Sequence, residues 1–116
     1  MKKSQDNVIL TIMKVMEGVL SRPNFGAHSF TRSLNLSSSD CIKFIHDNHA
    51  YFVSFVIYDD KLGQRCKMFV KTLNDGLFTE FFFFRFPLPN FGKIKQPMLA
   101  LGRKLVHRPI QEVMES

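Results

Sequence analysis

The sequence predicts a single-domain α+β fold in which three short helices precede three β-strands and a final helix. Three features support this order: an amphipathic N-terminal stretch, a run of serines around residue 38, and a block of β-branched and aromatic residues over 50–86. The 116 residues are enough for one hydrophobic core and too few for two. We expect one domain over 1–116, with its core at 6–73 and an added strand and helix at 74–116.

The N-terminal third of the chain carries the helical signals. Apolar residues recur at helical spacing over 6–21, and Asp6 can cap the start of that helix. A second, short helix is predicted over 26–35. The serines and the aspartate at 37–40 favour a helix N-terminus, so we predict a third helix over 38–47.

The rest of the chain carries strand signals and one more helix. β-Branched and aromatic residues fill 50–58, and apolar and polar residues alternate over 65–73, with a turn between the two segments. A third strand over 77–86 is apolar on both faces, so we expect it to be covered on both sides. Pro97 suits the first turn of a helix over 97–107.

The segment between the second and third predicted helices resembles a helix-turn-helix. Phe30 and Leu34 are one helical turn apart, and Asn35 stands where the turn needs a left-handed conformation. Leu36 would fill the angle between the helices, and Cys41 would face inward from the third helix. A hairpin follows directly, which is the order of a winged helix-turn-helix, and in that fold the third helix enters the major groove of DNA.

The charge of the chain favours a polyanionic partner, because the formal net charge is +6 and the pI is about 9.6. We therefore predict a transcriptional regulator, not an enzyme, that binds double-stranded DNA through the third helix and the basic wing. The residues predicted to contact DNA lie on the second and third helices and on the hairpin: Arg32, Ser38, Ser39, Ile42, Lys43, His46, Lys61, Arg65, Lys67 and Lys71.

The thirteen phenylalanines, with no tryptophan, indicate either a large core or a partner interface. We expect a homodimer held by the Phe-rich strand over 77–86 and by the C-terminal helix. The run at 81–84 is interpreted as a buried strand or dimer seam, with a stacking platform for single-stranded nucleic acid as the less favoured alternative. The helix over 97–107 remains open between a second DNA contact, a membrane-surface helix, and a packed helix with a solvated basic face.

Two other functions remain as alternatives. His46, His49, Tyr51 and Arg65 could form the metal-free site of a small ribonuclease, as in toxins of the RelE type. Surface or helix-terminal histidines are the more ordinary interpretation of the same residues. A protein-binding adaptor that docks a partner through the Phe-rich strand is the second alternative.

The two cysteines, Cys41 and Cys66, form no CxxC pair and no zinc spacing with the four histidines. We predict no metal and no cofactor, and two reduced core thiols, although a disulfide stays open at this point. The apolar stretch over 8–20 is interrupted by polar residues and is too short to span a bilayer. We therefore expect a cytoplasmic protein without membrane contact.

Two short segments resemble a known family. One is the hairpin turn with the residues Lys61, Leu62, Gly63, Gln64, Arg65 and Cys66, and the other is the strand end with Val70 and Lys71. With these residues, the span 7–72 resembles small enterobacterial activators of the CaiF/GrlA family, which share an apolar first helix, a helix-turn-helix and a hairpin with a basic turn. The Phe-rich segment has no counterpart in that pattern. The resemblance implies a transcriptional activator of a virulence or metabolic operon.

Overall fold

The structure is a computed structural model that describes residues 2–36 and 39–115, with side chains described at 6–33 and 41–107. Two helices lie on one face of a five-stranded antiparallel sheet. The helices are α1, Lys2–Leu20, and α2, Lys95–Glu115, which follows a 3-10 turn at Phe91–Ile94. The strands are β1, His28–Leu36; β2, Ser39–His46; β3, His49–Asp60; β4, Gly63–Asn74; and β5, Leu77–Pro87. They are neighbours in chain order, so the sheet is a meander.

The predicted winged helix-turn-helix is wrong. The segments 26–35 and 38–47 were expected to be helices two and three, but the structure places β1 and β2 there. Ile42, Phe44 and His46 are all buried, which shows that alternate residues of β2 face the helices. A short apolar segment fits helical and strand periods about equally well, and pairing with β3 decides in favour of the strand.

The turn between β2 and β3 shows why the pairing forms. Asp47 and Asn48 both have positive φ angles, 51° and 64°, and His46 pairs with His49 across them. Two left-handed residues in a two-residue loop make the type of hairpin turn that follows the natural twist of the strands. The Asp-Asn pair is therefore a hairpin signal, and the end of a helix predicted at this point is wrong.

The other predicted elements overlap those of the structure, although the C-terminal helix continues beyond its predicted end at 107 to Glu115. The helix at 6–21 corresponds to α1, and the helix at 97–107 lies within α2. The three predicted strands correspond to β3, β4 and β5. Within the described residues, neither helix combines the length and the apolar character needed to cross a membrane.

The core lies between the helices and the inner face of the sheet. Its largest fully buried side chains come from both layers: Tyr51, Phe44, Phe86, Ile12, Met16, Leu20, Ile42, Met68, Ile94, Met98, Leu101 and Leu105. Stacked rings cross the sheet, with centroid distances of 5.4 Å from Phe30 to Phe44 and 5.2 Å from Phe44 to Tyr51. An ion pair of 2.6 Å between Asp6 and Arg32 also joins α1 to β1.

Gly102 of α2 supports the packing of the α1–β1 loop onto the helices. A Cβ atom at this position would lie 2.8 Å from ring atoms of the buried Phe25. No rotamer of an alanine avoids this clash, because the Cβ position is fixed by the backbone. The close approach of loop and helix therefore requires glycine here.

We expect Gly102→Ala to lower the free energy of unfolding by about 1–3 kcal/mol, the usual cost of overpacking. Gly18→Ala in α1 is the matched control, because a Cβ there meets no atom within 4 Å. It should raise the free energy of unfolding by up to ~1 kcal/mol through helix propensity. Urea titration of both variants measures the difference, and equal stabilisation by both would contradict this packing.

Candidate functional site

The side of the sheet that faces away from the helices, here called the outer face, has no described element covering it. It is defined by alternation along β2 to β5 and by the register between them. The outward residues of these strands include Cys41, Lys43, Ile45, Ala50, Phe52, Ser54, Val56, Tyr58, Asp60, Arg65, Lys67, Phe69, Lys71, Leu73, Phe78, Glu80, Phe83 and Arg85, and Cys41 is itself buried. Phe78 and Phe83 are 46% and 45% exposed, so the described residues of this chain cover β5 on one side, and cover on both sides would need the predicted dimer.

The strand register arranges these residues in rows across the sheet. Phe69 pairs with Phe83, and their ring centroids lie 5.2 Å apart. The row on one side of this pair contains Lys43 and Lys71, with Glu80 opposite Lys71, and the row on the other side contains Lys67 and Arg85. Neighbouring rows are about 7 Å apart, since two residues separate them along each strand. The aromatic pair therefore lies between two cationic rows.

A second aromatic pair extends the patch. Phe52 and Phe78 meet edge to face, with centroids 5.3 Å apart. Lys43, which is on the neighbouring strand β2, lies beside Phe52 because the two residues are register partners. Large aromatic groups that stay half-exposed in a contiguous patch mark a binding surface more often than a solvated one.

The electrostatics of the outer face are positive. Arg65 is neutralised by an ion pair with Asp60 at the end of the hairpin. The remaining cations in the described part of the face are Lys43, Lys67, Lys71 and Arg85, and Glu80 is the carboxylate among them. The Lys67 ammonium also lies 4.9 Å from the centroid of the Tyr58 ring, which fixes this charge over the face.

The structure brings four of the residues predicted to contact DNA onto the outer face: Lys43, Arg65, Lys67 and Lys71. Lys61 is exposed in the turn between β3 and β4. The positions of Lys61, Arg65, Lys67 and Lys71 follow from the hairpin of β3 and β4, which was predicted correctly, whereas Lys43 reaches this face because β2 is a strand. No groove-facing helix connects them, because the region expected to form it is a strand.

The other predicted contact residues lie elsewhere. Ile42 and His46 are buried on the inner face, and Arg32 is held by Asp6 of α1. Ser39 begins β2, but its side chain lies outside the described residues, as does the whole of Ser38. Burial of Ile42 beneath the helices removes the contact with a thymine methyl that a recognition helix would have allowed.

The residues of the ribonuclease alternative do not meet at one site. His46 and Tyr51 point into the core, whereas Arg65 lies on the opposite face of the sheet. His46 borders an open cleft of about 360 Å³, which Phe25 and Val106 also line. His46 therefore takes a buried position in this fold, whereas His49 is partly exposed beside the turn between β2 and β3.

Phe52, Phe69 and Phe78 were missed as binding residues, because a core or a dimer seam was the favoured interpretation of the phenylalanines. Phe83 belongs to the run at 81–84, for which a stacking platform was the less favoured alternative. The alternation of β4 already placed Phe69 on the same face as Lys67 and Lys71, and this was the signal that could have located the patch.

The cysteines lie apart. Cys41 of β2 pairs with Ser54 on the outer side, whereas Cys66 of β4 faces the core, with β3 between the two strands. Two strand spacings separate their backbones by about 10 Å, which is too far for a disulfide. Among the described residues, no group of three or more His, Cys, Asp or Glu side chains is placed to hold a metal ion.

Comparison of the chain with known protein families, with characterised proteins and with solved structures found no match. The resemblance to the CaiF/GrlA activators is not tested by these comparisons and stays a hypothesis.

Burial raises the pKa of the Cys66 thiol from 9.0 to about 11. The folded state therefore holds the proton more tightly than the unfolded state, and this contribution to stability is complete below pH 9.0. It should decrease as the pH rises from 9.0 towards 11, because the unfolded thiol ionises first. Urea titrations across this range should show a steeper loss of stability in the wild type than in Cys66→Ala. Identical pH profiles for the two proteins would contradict the prediction.

Proposed function

We propose that the protein binds single-stranded nucleic acid on the outer face. The observation that carries this proposal is the ring pair of the partly exposed Phe69 and the 45% exposed Phe83, which lies between two rows that contain cations. Unpaired bases stack on aromatic rings without regard to sequence, and lysine and arginine neutralise the phosphates on either side. Rings and cations alternate on this face at the spacing of one strand row, so both kinds of contact are available at once.

A single strand fits this face better than a duplex. The bases of a duplex are already stacked on one another, so exposed rings gain little from them. Among the described residues, the outer face carries no helix that could enter a major groove. Binding of duplex DNA and regulation of transcription stay predictions, and the recognition helix on which they rested is a strand.

A second copy of the chain is a poorer occupant of the outer face. Two such faces in a symmetric dimer would bring Lys67, Lys71 and Arg85 of one copy against the same cations of the other. The homodimer predicted through β5 and α2 stays untested. The apolar stripe of α2 is already used within the chain, because Met98, Leu101 and Leu105 are fully buried.

The cytoplasm, which is the compartment predicted from the sequence, is one in which single-stranded nucleic acid is available.

The first test is fluorescence anisotropy with a labelled mixed-sequence strand of about eight nucleotides, as RNA, as DNA and as the matching duplexes, over a salt series. Both single strands should bind, more tightly than the duplexes, and their affinity should fall as salt rises. Phe83→Ala should weaken binding by ~1–3 kcal/mol, the usual value of one stacked base. Lys71→Gln should reduce the slope of log K against log salt by about 0.7, the value for one phosphate.

The controls for this test share chemistry with the variants but lie off the patch. Leu77→Ala removes a 70% exposed apolar side chain at the end of the same strand, and Lys14→Gln removes an exposed cation on α1. Neither should change binding. Equal affinity for duplex and single strand, or capture of anionic phospholipid vesicles without binding of any strand, would contradict the proposal.

A further inference from the structure

A β-bulge decides which residues of β5 reach the outer face. Val70 pairs with Phe82 and Lys71 pairs with Glu80, so Phe81 is the extra residue between them. Strict alternation from Phe83 would bring Phe81 outward and turn Glu80 towards the helices. The bulge reverses this, so that Phe81 is buried and Glu80 is exposed on the outer face. Redirecting a side chain is a recurrent use of bulges beside functional sites.

The bulge is held from the helical side. The Lys104 ammonium of α2 donates a hydrogen bond of 2.6 Å to the Phe81 carbonyl oxygen and lies 4.9 Å from the Phe81 ring centroid. The Phe81 ring also meets Tyr51 edge to face, at 5.1 Å between centroids. These contacts fix the extra residue inward, and the outward position of Glu80 follows from them.

Asp60, at the end of the hairpin, is paired with Arg65, so among the described residues Glu80 is the acidic residue that lies between the rings and the other cations. It faces Lys71 across the strands and is a diagonal neighbour of Phe69, at a spacing that a long side chain can bridge. Within the described residues, no hydrogen bond or ion pair occupies the Glu80 carboxylate. A carboxylate here repels phosphate, so it weakens binding unless the nucleic acid offers hydrogen-bond donors to it.

An ionised carboxylate only accepts hydrogen bonds, and it can accept two side by side. Guanine presents two adjacent donors, N1–H and the N2 amino group, on its Watson–Crick edge. Adenine and cytosine present one amino donor beside a ring acceptor, and uracil presents one imino donor between two carbonyl oxygens. An unpaired guanine is therefore the base whose edge matches a carboxylate best.

From this geometry we infer that Glu80 is a specificity-determining residue, which binds the Watson–Crick edge of a guanine stacked on the Phe69 and Phe83 rings. The inference rests on the proposed function and adds a base preference to it. The cations of the two rows supply affinity for any nucleic-acid strand. Glu80 selects the base that stacks on the rings between the rows.

The test uses oligouridine of about eight nucleotides as host, with one central position changed to guanine, adenine or cytosine. Wild-type protein should bind the guanine strand more tightly than the all-uridine strand, by about fivefold or more. Glu80→Gln keeps the size of the side chain and removes its charge. This variant should lose the guanine preference while it keeps or increases its affinity for the all-uridine strand. Glu17→Gln on α1, an exposed residue of the other layer, should behave like the wild type.

The possible failures are distinguishable. Equal wild-type binding to all four strands, or a guanine preference that persists in Glu80→Gln, would overturn the role of Glu80 and leave the proposed function standing. Loss of all binding in Glu80→Gln, with its fold intact by circular dichroism, would also overturn it, because a selecting residue does not supply general affinity. Failure of the wild type to bind any strand would overturn both proposals.

Discussion

Burial of one sheet face beneath α1 and α2 is the constraint on which the rest of the structure depends. Successive side chains of a strand point to opposite faces, so the apolar residues that reach the helices fix the position of their neighbours. Val53, Met68 and Val70 are fully buried against the helical layer. The residues next to them along each strand must point outward, and among these are two cations, Lys67 and Lys71, and two rings, Phe52 and Phe69.

The phenylalanines of β5 serve both faces because the strand is not regular. Phe84 and Phe86 pack inward against the core, and Phe83 points outward beside Phe69. The extra residue at Phe81 changes the alternation, so that Phe78 and Glu80 join Phe83 on the same side. A run of apolar residues that suggested a doubly covered strand is in fact divided between a core and an open surface.

The sequence was informative where one period was clear. Alternation over 65–73 and a dense β-branched run over 50–58 identified β3 and β4, and an apolar stripe identified α1. The segment 26–47 was misassigned because its apolar spacing suits either period, and the hydrogen bonds that decide come from pairing with β3. A two-residue turn of Asp47 and Asn48 was the local clue. The outward positions of Phe78 and Glu80 could not be predicted, because they depend on the tertiary contacts of Lys104 and Tyr51 with Phe81.

The central claim is that nucleic acid lies on the outer face and not on the helices. The most direct test is ultraviolet cross-linking to an oligonucleotide of about eight nucleotides that contains 4-thiouridine. Peptide mass spectrometry then identifies the cross-linked residues. We expect the cross-links to fall on Phe52, Phe69, Phe78 and Phe83, with none on the side chains of α1 between Asp6 and Leu20. Cross-links concentrated on α1 or α2, with the outward residues of β3 to β5 unmodified, would contradict the account.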